Sequence, residues 1–213
     1  IKIKGFFKVF DLYRQLDESA SDEDMRFEAQ LGAMRSAYRV NNSQALLTMA
    51  NKVKDNPRAT DLQKATAHFY IGKLAFDSKN YDSARASFNE VTRLSDNEQT
   101  AEARYLIAYI YYVQRDLDLA QQLCLNANKE SSEYPYWIAK SVILLSDILA
   151  EKGDLFNAQA ALEGLIEHYD EDEELVRIAK EKLERLKSQE SANSRLRDET
   201  NPNDDLELED DQN

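Results

Sequence analysis

The chain has 213 residues, 42% of them hydrophobic, with only 5 Gly and 3 Pro; that is enough apolar material for a core and too few breakers for a turn-rich sheet fold. A net charge of −13 repels phosphate backbones and anionic lipid, which argues against nucleic acid and a membrane surface as partners. A single cysteine, Cys124, excludes an intrachain disulfide, and no run of about 18 apolar residues is present to cross a bilayer.

Apolar spacing predicts helices over roughly 4–16, 23–39, 43–54, 60–78, 81–94, 98–114, 117–130, 135–151, 155–168 and 172–188, joined by short polar turns. The first is apolar nearly all round, through Phe6, Phe7, Val9, Phe10, Leu12, Tyr13 and Leu16. It reads as the second helix of a hairpin whose first helix lies upstream, so residues 1–22 are the remnant of an earlier repeat and further repeats are expected before Ile1. Residues 23–171 form four helix hairpins. Helix 172–188 carries Leu175, Ile178, Ala179, Leu183 and Leu186 on one face and is expected to close the last apolar surface. Residues 189–213 have high charge and no periodicity and are expected to be a disordered acidic tail.

Within the four hairpins one pattern returns: a small residue, Asn or Asp eight positions later, Ala four later, and a larger apolar side chain four later again. The instances are Ala33-Asn41-Ala45-Met49, Gly72-Asn80-Ala84-Phe88, Ala108-Asp116-Ala120-Cys124 and Ser146-Asp154-Ala158-Leu162, with starts 39, 36 and 38 residues apart. A period of this length means stacked helix hairpins. The small residue and the Ala lie on facing helix surfaces, where small side chains let the backbones approach. Asn and Asp suit the turn because they tolerate left-handed backbone and accept hydrogen bonds from exposed amides of the next helix.

This pattern resembles the tetratricopeptide repeat, best in Ile71-Gly72-x₂-Ala75 with Ala84-x₃-Phe88, next in Ala108-x₂-Tyr111 with Ala120. Pro57 stands where that family ends its second helix; Asp96, Ser132 and Asp170 depart from it, and the usual tryptophan of the first helix is missing. The resemblance covers about residues 23–188. It implies an all-α, right-handed α-α superhelix of antiparallel hairpins that binds a protein or peptide in its concave groove. Tyr134–Ser141 with Lys152–Ala158 is similar to the last repeat of long bacterial envelope proteins of the family, which implies a periplasmic or cell-envelope location.

Tyr105, Tyr109 and Tyr112 fall at i, i+4 and i+7, on one helix face. One repeat earlier Phe69, Lys73 and Phe76 hold the same phase; before that come Gln30, Met34, Ala37 and Tyr38, and one repeat later Ile143, Asp147 and Ala150. In the resembling family this face lines the groove. Rigid amphipathic rings there would anchor an extended peptide or a helix. The expected contact residues are Tyr38, Phe69, Lys73, Phe76, Tyr105, Tyr109, Tyr112 and Asp147. Lys73 and Lys140 share the face with Glu102 and Asp147, a departure from the basic clamp that grips a terminal carboxylate in some relatives.

No cofactor, metal or catalytic set is expected. His68 and His168 are 100 residues apart, Cys124 is at a packing position, and Asp170–Glu174 lacks the spacing of a calcium loop and precedes a helix N-terminus. The reading is a noncatalytic protein-binding scaffold. The alternative is a structural module that self-associates or packs onto upstream repeats through its N-terminal helix; a non-catalytic part of a larger enzyme is the remote third.

Overall fold

The computed structural model describes residues 2–200. Among them are ten helices and no strand: α1 (Lys2–Ser19), α2 (Glu23–Arg39), α3 (Ser43–Lys54), α4 (Asp61–Asp77), α5 (Tyr81–Leu94), α6 (Glu98–Val113), α7 (Leu117–Glu130), α8 (Pro135–Glu151), α9 (Leu155–His168) and α10 (Glu173–Thr200). From α2 onward each begins where the sequence supplies a start signal. Thr60 and Asn97 form capping boxes with Gln63 and Thr100, Asp22 and Asp172 accept from the amides of Met25 and Leu175, and Pro135 opens α8.

α10 corrects the expected tail. It runs on through Thr200, because residues 189–200 are mostly Glu, Arg, Ser and Asn, which have no apolar face to reveal a helix yet do not break one. Glu190 accepts from Gln159, and the Ser191 hydroxyl donates to the Lys187 carbonyl one turn back in its own helix. Residues 201–213 of the tail lie outside the described residues.

The four hairpin turns are copies of one another. Asn42, Asn80, Asp116 and Asp154 donate their amides to the carbonyls of Ala37, Ala75, Tyr111 and Leu149. The preceding Asn41, Lys79, Arg115 and Gly153 donate to Tyr38, Phe76, Tyr112 and Ala150. That pair of bonds is a Schellman motif and requires left-handed backbone at the preceding residue; φ there is 54°, 59°, 68° and 84°. The Asn or Asp that follows then accepts from the amide of Ala45, Ser83, Leu119 or Asn157 and caps the next helix.

These turns shift the register of the first repeat by one residue. Aligned on their left-handed residues, the turns stand 38, 36 and 38 residues apart. Asn42, not Asn41, matches Asn80, Asp116 and Asp154. Met34, Leu46 and Ala50 therefore occupy the places held by Gly72, Ala84 and Phe88 in the second repeat. All six are buried. The volumes trade places: the second repeat sets Gly72 under the Phe88 ring, whereas the first sets a large Met34 at the first position and a small Ala50 at the last. Such compensation holds total core volume nearly constant.

The chain divides into two compact units, Ile1–Leu119 and Ala120–Asn213. In the first, α1 lies on α2, with the Tyr13 ring seated on Gly32. Below it Asp17, buried, accepts from Gln30 Nε2 at 2.8 Å and pairs with Lys52 at 2.5 Å, tying α1 to α2 and α3. Phe27, Leu31, Val53, Phe69, Phe88 and Val91 fill the interior between successive helices. In the second unit Ala139 and Ile143 of α8, Leu162 and Leu165 of α9, Tyr169, and Leu175, Ala179 and Leu183 of α10 form one core. The apolar stripe of α10, at i, i+4 and i+8, covers α8 and α9.

Candidate functional site

The corrected register decides which side chains hold equivalent positions on the first helices of the hairpins. Counting back from each capping residue, the first row is Leu31, Phe69, Tyr105 and Ile143. The second is Arg35, Lys73, Tyr109 and Asp147, and the third is Tyr38, Phe76, Tyr112 and Ala150. In the first row Leu31, Phe69 and Ile143 point to the core and are buried, whereas Tyr105 is half-buried. Phe69 is only 4% exposed, with its ring 6.3 Å from Phe88, so it supports the face from beneath and is not a surface contact. The slip of one residue likewise misplaced Gln30, Met34 and Ala37, all buried. Arg35, which sequence phase passed over, is exposed beside Tyr38.

Two aromatic groups stand on the first unit. At the end of α2, Tyr38 is 51% exposed and stacks on Tyr70 of α4, centroids 4.5 Å apart and planes 24° from parallel. Tyr70 was missed because it neighbours Phe69 in sequence, one helical step of 100° away from the assumed stripe. Its own burial holds the Tyr70 hydroxyl above the usual phenol range, with the nearby Tyr38 next. Along α4 and α6, Tyr109 is the hub, with Phe76 at 5.8 Å, Tyr105 at 6.3 Å and Tyr112 at 6.2 Å. Phe76 also meets Tyr81 of α5 edge-on at 5.9 Å. Phe76, Tyr105, Tyr109 and Tyr112 are all half-buried, so each ring keeps part of its surface open while its neighbours fix its rotamer.

Between these groups Lys73 Nζ donates to Glu102 Oε1 at 2.7 Å, joining α4 to α6. Both are partly shielded, which strengthens the pair beyond an ordinary surface bridge. Lys73 is thus already engaged. Tyr111, off the stripe, lies under the Arg85 guanidinium at 5.1 Å. Asp147 belongs to the second unit, where it pairs with Lys182 of α10.

The titratable candidates are quiet. Burial is the first cause that lowers His68 below the usual imidazole range, so at neutral pH it is uncharged. Cys124 is fully buried, and burial pushes its thiol up to about 12; a hydrogen bond with Ser141 opposes the shift only in part. Such a thiol is protonated at neutral pH and inert as a nucleophile. Among the described residues no three His, Cys, Asp or Glu side chains are grouped to hold a metal ion, and no helix is long and apolar enough to cross a membrane.

The tetratricopeptide repeat family model matches residues 53–98 and 69–135. No curated protein sequence matches the chain. Among solved structures, the crystal structure of BtubC (BKLC) from P. vanneervenii is similar, with a TM-score of 0.63 over 99% of this chain and 97% of that one. At 12% identity this is a likeness of fold. Repeats of this family generally mediate protein–protein contact or scaffolding and are typically noncatalytic. Two overlapping matches to the repeat, and helix hairpins closed by four like turns, show tetratricopeptide repeats over residues 53–135 and a repeat fold of that kind.

Proposed function

We propose that the protein is a noncatalytic scaffold that holds a protein or peptide against the aromatic face of α2, α4 and α6. The observation that carries this reading is the connected ring set Phe76, Tyr105, Tyr109 and Tyr112, partly open and mutually braced. Braced rings lose little rotamer entropy on binding, so their apolar area converts efficiently into affinity. Tyr38, stacked on Tyr70, with Arg35 beside it, extends the same face toward α2. Lys73, paired with Glu102, sets the rings apart as two anchor points. Phe69 acts only as their support. Asp147, on the second unit, offers with Lys182 a contact of both charges there.

The test is affinity capture with the full chain and with Tyr105→Ala/Tyr109→Ala, comparing captured proteins by mass spectrometry. Loss of a specific partner with unchanged circular dichroism supports the face. An identical captured set rules it out.

A second reading is favoured by α1, where Phe7, Val9 and Leu12 are exposed although apolar, Leu12 by 56%. Large exposed apolar patches mark interaction surfaces. The module then self-associates, or packs onto a preceding repeat, through α1. Phe6, which the sequence also put on this surface, has its side chain outside the described residues. Light scattering across concentration separates the readings: dimers abolished by Phe7→Asp/Leu12→Asp favour self-association, and a concentration-independent monomer sinks it.

A further inference from the structure

The second unit carries an apolar groove that the aromatic face does not use. It has a volume of about 430 Å³ and runs between α8 and α9. One wall is Ile138, Val142 and Leu145, at i, i+4 and i+7 of α8. Asp147 lies two residues past Leu145, hence on the opposite side of that helix. The other wall is Ala160, Ala161 and Gly164 of α9. A β-carbon on Gly164 would meet nothing within 4 Å, so the wall is recessed by its small residues and not by packing need. Phe156 continues the stripe, four residues before Ala160 in a row that passes through Gly164 to His168, and it is 77% exposed. No other phenylalanine with a described side chain stands so far into solvent.

The end of the groove has a sign. Tyr169 lines it, and the carboxylates of Asp172 and Glu171 act on the Tyr169 hydroxyl, which among the described residues has no hydrogen-bond partner although buried. Asp170 and Glu173 line the adjoining depression with Tyr169, alongside Lys180 and Arg177, the latter paired with Glu174 and Glu181, so the five acids at 170–174 outnumber the basic groups there. Asp172 is spent capping α10, and Glu174 pairs with Arg177. Asp170, Glu171 and Glu173 are exposed. An apolar trough with an anionic end is complementary to one kind of ligand: a helix with an apolar stripe and basic residues at one end.

We infer that this groove docks an amphipathic helix of a partner protein, its apolar stripe laid along α9 from Phe156 to Gly164 and its basic end against the acids at 170–174. The stretch from Phe156 to His168 spans about 18 Å at 1.5 Å per residue, so about three turns of partner helix are matched. The docked helix covers the Phe156 ring, and its lysines or arginines neutralise Asp170, Glu171 and Glu173.

The test uses the full chain and a fluorescein-labelled 14-residue helical peptide with leucines at i, i+3, i+4, i+7 and lysines elsewhere, followed by fluorescence anisotropy at near-physiological salt. Saturable micromolar binding is expected. Gly164→Leu, which fills the trough, weakens it at least tenfold. Phe156→Ala, at an exposed position that leaves the core intact, weakens it several-fold, and Asp170→Lys/Glu171→Lys does likewise. Tyr105→Ala/Tyr109→Ala leaves it unchanged, which keeps this groove distinct from the aromatic face. Absence of binding overturns the inference. So does binding indifferent to Gly164→Leu and Phe156→Ala, the result expected of general attraction to an acidic protein, or equal binding of the same peptide with glutamates for lysines.

Discussion

A β-carbon on Gly72 would stand 2.6 Å from Cε1 of Phe88, a ring that is fully buried. The two residues face each other across the α4–α5 hairpin, and the ring lies flush with the backbone of α4. Gly72→Ala forces the ring or the helix aside and is expected to cost about 1–3 kcal/mol, although alanine is the better helix former. Phe88→Ala alone costs about 3–5 kcal/mol through the cavity it opens. Because the first repeat solves the same position with Met34 and Ala50, Gly72→Met in the Phe88→Ala background is expected to recover part of that loss. Urea melts of the single and double variants measure the coupling; strictly additive losses would show that the two sites do not share one space.

Lys79 occupies left-handed backbone at φ 59°, where its equivalent in the fourth turn is Gly153 at φ 84°. A side chain there is strained by about 1–2 kcal/mol, offset in part by the greater unfolded-state entropy of glycine. Lys79 is exposed, so Lys79→Gly removes strain without opening a cavity. A small net gain, about 0.5–1 kcal/mol, is expected. Gly153→Ala, in the opposite direction, loses about 1 kcal/mol. Thermal melting decides; a lower midpoint for Lys79→Gly would contradict the turn assignment.

Asp17 is a carboxylate with a 3% exposed side chain, held by Gln30 and Lys52. Asp17→Ala leaves the Gln30 amide without that acceptor and unties α1 from α3. A loss of about 1–3 kcal/mol is expected. Hydrogen exchange is the sharper readout: amides of α1 lose protection while those of α4 and α5 keep theirs, because neighbouring repeats unfold semi-independently.

Cys124 gives a pH signature. Its folded thiol is raised to about 12 against an ordinary 9.0, so between those values the unfolded chain has lost a proton that the folded chain retains. This contribution to stability is present in full below pH 9 and declines as pH rises, by about 1.4 kcal/mol per pH unit at the steepest. Tyr70 and Tyr169, both raised by burial, bend the curve the same way at higher pH. Cys124→Ala is expected to flatten the first part of the decline in melts between pH 8.5 and 10. Thiol reagents are expected to modify native Cys124 only at the rate of local unfolding.

Helix number, the hairpin order and the repeat family were legible in the residue pattern, because Asn80, Asp116 and Asp154 cap helices by local chemistry that needs no distant partner. Nine of the ten helix starts fall within one residue of their expected place. The last helix was legible only where Leu175, Ala179 and Leu183 mark its apolar face; beyond them a helix without such a face leaves no period to read. Ala33 and Asn41 mimicked the repeat one residue early, and the error carried into the expected site. One residue turns a side chain by 100°, enough to exchange exposed Arg35 for buried Met34.

Local sequence thus determined that this protein is a set of capped helix hairpins with a family-like turn. Tertiary structure alone decided which aromatics are core and which are surface. Phe69 and Phe76 are alike in sequence and lie on the same helix, yet Phe88 receives one and Tyr109 the other. Burial depends on what the neighbouring helix presents, and that is set by packing across residues far apart in the chain.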